Sequence, residues 1–185
     1  NIGNSYTGEV LKTSENSYTV AEISSFQLET VHRFHPVVSA ILNITPDHLN
    51  RHHTMECYAH TKERIAENQT KDDVCVLNME DEELYRFGSE CKASVVWFSS
   101  KRKPDKGAYL DGDDIRYTDG TQDKLMLNIH DMNLLGTHNY ENVCAAIAMT
   151  KAVGIPDDII IEQVKCFKAV EHRIEYVATK KGVWY

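Results

Sequence analysis

Glu22 ends a short apolar run, Tyr18-Thr19-Val20-Ala21, at a place where a fifth apolar residue would serve packing better. A second polar group, Thr45-Pro46-Asp47-His48, follows the run Val37 to Ile44, with Asn50-Arg51-His52-His53 close behind. In open α/β sheets, ligands bind outside the carboxyl ends of the strands. A strand-end carboxylate such as Glu22 and a neutral imidazole such as His48 are the ligand types that hold a divalent cation beside a phosphate, Mg²⁺ keeping several waters. Read singly, each has a plainer assignment: Glu22 as a helix cap or surface carboxylate, His48 as a loop histidine.

Lys62 is an independent clue. In the helical pattern Thr54 to Asn68, residues Met55, Tyr58, Ala59, Ile65 and Ala66 form the apolar stripe, and Lys62 lies in its centre, four residues after Tyr58 and three before Ile65. A lysine there points inward. Either its stem packs while the ammonium snorkels to water, or desolvation lowers its pKa and leaves a nucleophilic amine. Such an amine reacts with CO₂ to give a carbamate, an anionic metal ligand.

Gly136-Thr137-His138-Asn139-Tyr140-Glu141-Asn142 opens another helix, with Asn139 and Asn142 three apart on one face. Their amides suit the edge of a base, and the helix N-terminus favours negative charge. For an isolated H-N-x-x-N, a simple cap by Thr137 or Asn139 is the plainer reading. Arg173, in Glu171-His172-Arg173-Ile174-Glu175, either clamps a phosphate or carboxylate with two prongs or pairs with Glu171 or Glu175. Nine histidines raise a zinc alternative through His48 and His52 at i, i+4, but no H-E-x-x-H is present.

The elements that must position these groups are legible as alternating patterns. Apolar, β-branched or aromatic runs at Tyr18–Ala21, Val37–Ile44, Val74–Asn78 and Ser94–Phe98 read as strands buried on both faces. Helical patterns at Gln27–Phe34, Thr54–Asn68 and Asp81–Phe87 lie between them, which predicts a mostly parallel α/β sheet with crossover helices. From Lys101 to Asn133, the turn signals Asp111-Gly112-Asp113 and Asp119-Gly120 predict an antiparallel meander added to the sheet edge. A helix from Asn139 to Val153 stops at Gly154-Ile155-Pro156, and another runs from Asp157 to about Lys168.

The 185 residues, 42% of them hydrophobic, can build a real core in one domain. A net charge of -8 without any basic run argues against a non-specific binder of nucleic acid or anionic membrane. No apolar run approaches membrane-spanning length. Five widely spaced cysteines without C-x-x-C suit reduced thiols in a cytosolic protein. Asn1 and Tyr185 both look like cut ends, so residues 1–185 read as one domain of a longer chain.

The stretches E22-I-S-S-F-Q-L-E-T30, I41-L-N-I-T-P-D-H-L-N-R51, K62-x-R-I-x-E-N68, G136-x-H-N-Y-x-N142 and H172-R-I-E175, in this order and spacing, resemble the central ATP-binding domain of the Mur ligases. S-S-F-Q-L-E-T is most similar to the D-glutamate-adding branch, and the resemblance covers essentially the whole chain. It implies a P-loop-type fold and an ATP-dependent, amide-forming ligase of peptidoglycan synthesis, cytoplasmic and monomeric. Its substrates would be UDP-N-acetylmuramoyl-L-alanine, D-glutamate and ATP, joined through an acyl phosphate.

By the same resemblance, Glu22 and His48 match Mg²⁺ ligands, Lys62 matches a carbamylated lysine at the metal site, and Lys62 with His48 forms the catalytic set. Asn139, Asn142 and Arg173 match nucleotide contacts, and Asn1 and Ser24 match contacts to the muramoyl substrate. The family's phosphate loop, G-x-x-G-K-[ST], is missing from these residues and is expected before Asn1, with a UDP-binding domain; an amino-acid-binding domain is expected after Tyr185. Asn50 stands where Asp is frequent, a minor departure. Another ligase of the Mur and folylpolyglutamate synthase superfamily is the alternative enzyme, and a non-catalytic nucleotide-binding module the alternative of another class.

Overall fold

Val74-Cys75-Val76-Leu77-Asn78 is the run with least polar interruption, and it becomes an inner strand of a six-stranded sheet. In the computed structural model, which describes residues 5–168 and 178–184, the chain divides into two units, Asn1–His35 with Thr45–Asn68, and Pro36–Ile44 with Gln69–Tyr185.

The second unit holds the sheet. Its strands are β1 (Val38–Ile41), β2 (Val74–Asn78), β3 (Ser94–Ser99), β4 (Gly107–Asp111), β5 (Asp114–Thr118) and β6 (Asp123–Asn128), in that spatial order. The pairs β1·β2, β2·β3 and β3·β4 are parallel, whereas β4·β5 and β5·β6 are antiparallel. The expected mixed architecture is therefore present, with the meander on one edge. Joining β4 parallel to β3 demands close approach: a Cβ on Gly107 (φ 143°) would stand 1.8 Å from the Trp97 carbonyl oxygen. Only glycine fits there.

Val76, Val96, Phe98, Ala108, Ile115 and Met126 form a buried cluster with Val143, Cys144, Ile147 and Ala148 of the long helix Thr137–Ala152. Such burial, at roughly 25 cal/mol per Å² of apolar surface, is the main force holding helix to sheet. The helix ends where Gly154 takes φ 78° and Ile155 N–H bonds the Thr150 carbonyl, as the Gly-Ile-Pro signal predicts. Residues Asp157–Cys166 form a further helix, and Thr179–Lys180 with Val183–Trp184 a separate two-stranded hairpin.

The expected strand Val37–Ile44 is shorter because side chains take over its backbone groups. Asn78 donates to the Leu42 carbonyl and Asp81 accepts from Ile44 N–H. That same Asp81 caps the helix Glu82–Glu90 through Glu83 and Leu84 N–H.

The first unit is built from short helices: Tyr6–Glu9, Ser25–Leu28, Leu49–His52 and Met55–Glu63, the last continued by a 3₁₀ turn, Arg64–Ala66. Two expectations are corrected here. Tyr18–Ala21 forms no strand; Tyr18 and Val20 are exposed, and a four-residue run has no stability without a partner edge. The helix foreseen over Gln27–Phe34 stops after Leu28, because its next carbonyls serve tertiary donors. Arg64 donates to those of Glu29 and Val31, and Asn68 to those of His32 and Phe34.

Candidate functional site

Ser24 and Gln27 open the helix Ser25–Leu28 with a reciprocal cap: Ser24 Oγ accepts from Gln27 N–H at 3.4 Å, and Gln27 Oε1 accepts from Ser24 N–H at 2.8 Å. This locks the start of the helix and turns Ser25 and Leu28 inward. Glu22, just before it, is exposed, so the cap belongs to Ser24 and not to Glu22.

Beyond that cap five side chains stand in a row. His48 meets the Phe26 ring at 4.8 Å, Phe26 stacks on His52 at 5.8 Å and 11°, His52 meets Tyr58 at 5.2 Å, and Lys62 Nζ lies 5.3 Å from the Tyr58 ring centre. His48 and Lys62 are thus the two ends of one aromatic row. Lys62 is half-buried, with its ammonium on a π face, an arrangement that fits both its apolar position and its charge. His48 occupies the N-cap position of the helix Leu49–His52 in the left-handed region (φ 52°), without a side-chain capping bond, and its Nε2 is 3.4 Å from Asp47 Oδ2. A carboxylate beside a ligating imidazole fixes the ring. Tyr58 is buried, and burial first, then the charge of Asp47, pushes its phenol above the ordinary range.

His52 is committed elsewhere. It is 5% exposed, with Nε2 3.0 Å from Ser25 Oγ. Arg51 grips Glu29 with two bonds, 2.9 and 2.7 Å, which hold the Glu29 carboxyl below its usual range.

Asn139 and Asn142 lie in the second unit, where they line a single cavity of about 530 Å³ together with Leu134, Val143, Ile147, Ile155, Ile159 and Phe167. Sequence spacing put them on one face, and the structure brings them together. Gly136, at φ 94°, occupies the N-cap position of their helix, so neither Thr137 nor Asn139 does. Asn139 Nδ2 donates to the Leu135 carbonyl at 2.7 Å, which leaves its Oδ1 as the group it presents to a ligand. An apolar cleft with a few convergent amides suits a flat heteroaromatic ring.

The sequence matches the Mur ligase middle domain family over residues 1–150. The chain belongs to that family. It is 83% identical over all 185 residues to a UDP-N-acetylmuramoylalanine--D-glutamate ligase of Lachnospira eligens, and 51% identical to its namesake in Lachnoclostridium phytofermentans. In both cases the chain spans 41% of the relative's length. Among solved structures, a MurF of Acinetobacter baumannii shares the fold with a TM-score of 0.59 and 17% identity over 79% of this chain and 32% of its own. The MurF ligase of Thermotoga maritima in complex with ADP does so with a TM-score of 0.56 and 20% identity over 80% of this chain and 34% of its own.

The described residues of this chain offer a sparse donor set for a cation. Among the described residues no three His, Cys, Asp or Glu side chains gather as a metal site. That does not suit zinc, which takes four or three protein donors. Exposed Glu22 and Asp47-supported His48 are each of the donor type that Mg²⁺ takes, an ion that keeps one or two protein ligands and completes its shell with water and phosphate oxygens. Asn1 and Arg173 lie outside the described residues. Phe26 and Tyr58, which carry the row between His48 and Lys62, were not singled out as site residues by sequence, and His52 was named there only in the zinc alternative. Tyr58 read as part of an apolar helix stripe, and only the helix geometry at Tyr58 and Lys62 hinted at a link.

Proposed function

We propose that this chain is the ATP-handling central domain of a peptidoglycan ligase that joins D-glutamate to UDP-N-acetylmuramoyl-L-alanine. The observation that carries this reading is the 83% identity, without a gap in coverage, to a ligase of that name. The activity belongs to the whole protein, of which UDP-binding and amino-acid-binding domains would be further parts. A cytoplasmic monomer is part of the same reading.

In this mechanism ATP phosphorylates the substrate carboxylate, and the amine of D-glutamate displaces phosphate from the acyl phosphate to leave an amide. The chain's own work is positioning. The cavity at Asn139 and Asn142 takes the adenine, with Asn139 Oδ1 as acceptor for its exocyclic amine. Arg173 holds phosphate or ribose, while Ser24 and Asn1 face the muramoyl substrate. Glu22 would hold a Mg²⁺ beside the ATP phosphates and His48 a second, with a carbamylated Lys62 as a further anionic donor at the metal site; when bound, such cations neutralise phosphate oxygens. The Tyr58 face keeps Lys62 in place, and Asp47 keeps the His48 ring in place.

The test is ATP-dependent phosphate release by the full-length protein with UDP-N-acetylmuramoyl-L-alanine and each of several amino acids. Selective turnover with D-glutamate is expected. Turnover with another amino acid only would assign a different acceptor, and none with any would leave a nucleotide-binding module.

A further inference from the structure

Cys75 and Cys91 are remote in sequence from every group used above, and the fold brings them together. Cys75 is the second residue of β2 and is fully buried. Cys91 closes the helix Glu82–Glu90, is half-buried, and opens the three-residue link into β3. That link is tied to the start of β2 by Ser94 N–H donating to the Asp73 carbonyl and by the register Val74↔Ser94. The two thiols are in hydrogen-bond contact, and Ser39 of the neighbouring strand also bonds Cys75. The remaining cysteines divide into exposed Cys57 and Cys166 and buried Cys144.

We propose that Cys75 and Cys91 are a dithiol pair that a hydroperoxide closes to a disulfide, with Cys91 as the attacking sulfur and Cys75 as the resolving one. Burial fixes these roles, since Cys91 is half-buried whereas its partner Cys75 is fully buried. Two hydrogen bonds, from the Cys75 thiol first and then from the Ala93 backbone, lower the Cys91 thiol to about 7. The same contact, with burial, pushes the Cys75 thiol up. A thiol lowered in this way has more thiolate, the attacking form, than an ordinary cysteine.

In the first step the Cys91 thiolate attacks the peroxide O–O bond. That bond breaks, one oxygen stays on sulfur as sulfenic acid, and the other leaves as hydroxide and takes up a proton. In the second, Cys75 sulfur attacks Cys91 sulfur, the S–O bond breaks, and the departing hydroxyl leaves as water with the Cys75 proton. Two thiols lose two electrons in all, and one hydrogen peroxide becomes two waters.

The experiment is peptide mapping of the reduced protein after one equivalent of hydrogen peroxide and quenching with N-ethylmaleimide. Trypsin separates the partners, because Cys75 lies in the peptide 72–86 and Cys91 in the peptide 87–92. The expected result is these two peptides joined, two hydrogens lighter than their sum and separated by dithiothreitol. Cys57 and Cys166 should remain alkylated. In Cys75→Ser, Cys91 should be trapped by dimedone as sulfenic acid. In Cys91→Ser, Cys75 should stay reduced; this variant alters a half-buried residue and carries the test if the first does not fold. Oxidation of Cys57 or Cys166 while Cys91 stays a thiol would overturn the proposal, as would sulfinic acid on Cys91 without linkage.

Discussion

Arg51 holds Glu29 through Nε and Nη2 at once, at 2.9 and 2.7 Å, across 22 residues of sequence. A lysine has one point charge where arginine has a fork. Arg51→Lys is therefore expected to lower Tm at pH 7 by roughly 2–4 °C at most, the pair being solvent-screened. The sign of the pH dependence follows from Glu29, whose carboxyl is depressed by the Arg51 bond. Its contribution is complete above the ordinary value of 4.5 and disappears as pH falls through the lower folded value. Melting curves should show the gap between wild type and variant shrinking below that pH; a gap that widens in acid would refute the assignment.

His52→Ala removes a ring that packs between Phe26 and Tyr58 and bonds Ser25. The loss combines a cavity with a broken buried hydrogen bond and should cost roughly 2–4 kcal/mol. Urea unfolding measures it. A change below about 0.5 kcal/mol would mean that the row is not packed as described.

Gly107→Ala forces a methyl group against the Trp97 carbonyl oxygen, so backbone must move, at about 3 kcal/mol or more. Gly112 also has a positive φ, of 60°, but nothing lies near its would-be Cβ. Gly112→Ala should cost only about 1 kcal/mol. Equal losses in the two variants would show that backbone conformation, and not the close approach of β3 and β4, sets the requirement.

On the proposed function, Lys62→Ala in the full-length protein should lower kcat on the order of 100-fold or more, with partial recovery by added short carboxylates. Undiminished turnover would remove the carbamate from the mechanism. Stability should fall little, because Lys62 is only half-buried and its ammonium lies over the Tyr58 ring, a contact of modest strength.

Asn142→Ala should raise KM for ATP about tenfold at unchanged kcat, the loss expected for one hydrogen bond to a bound base. Asn139→Ala removes the amide and also the bond to the Leu135 carbonyl, so its KM effect should come with a lower Tm. Unaltered ATP kinetics in both variants would place the nucleotide elsewhere.

Read from residue types alone, the sheet runs Val74–Asn78 and Ser94–Phe98, the meander, the two C-terminal helices and the shared face of Asn139 and Asn142 were all legible. The reason is local: apolar runs, turn residues and helical periodicity act over a few neighbours, and β2 was foreseen residue for residue. Ser24 could be flagged by motif, and its cap with Gln27 is likewise a three-residue event. What only the tertiary structure decided depends on partners far along the chain. Tyr18–Ala21 has the composition of a strand but no edge to pair with among the described residues, and the helix after Leu28 stops because Arg64 and Asn68 claim its carbonyls. The row from His48 to Lys62, the contact of Cys75 with Cys91, and the glycine required at 107 each join residues whose meeting no local pattern encodes. Hydrogen-bond ladders and close packing are satisfied between segments, so their geometry exists only once the segments have met.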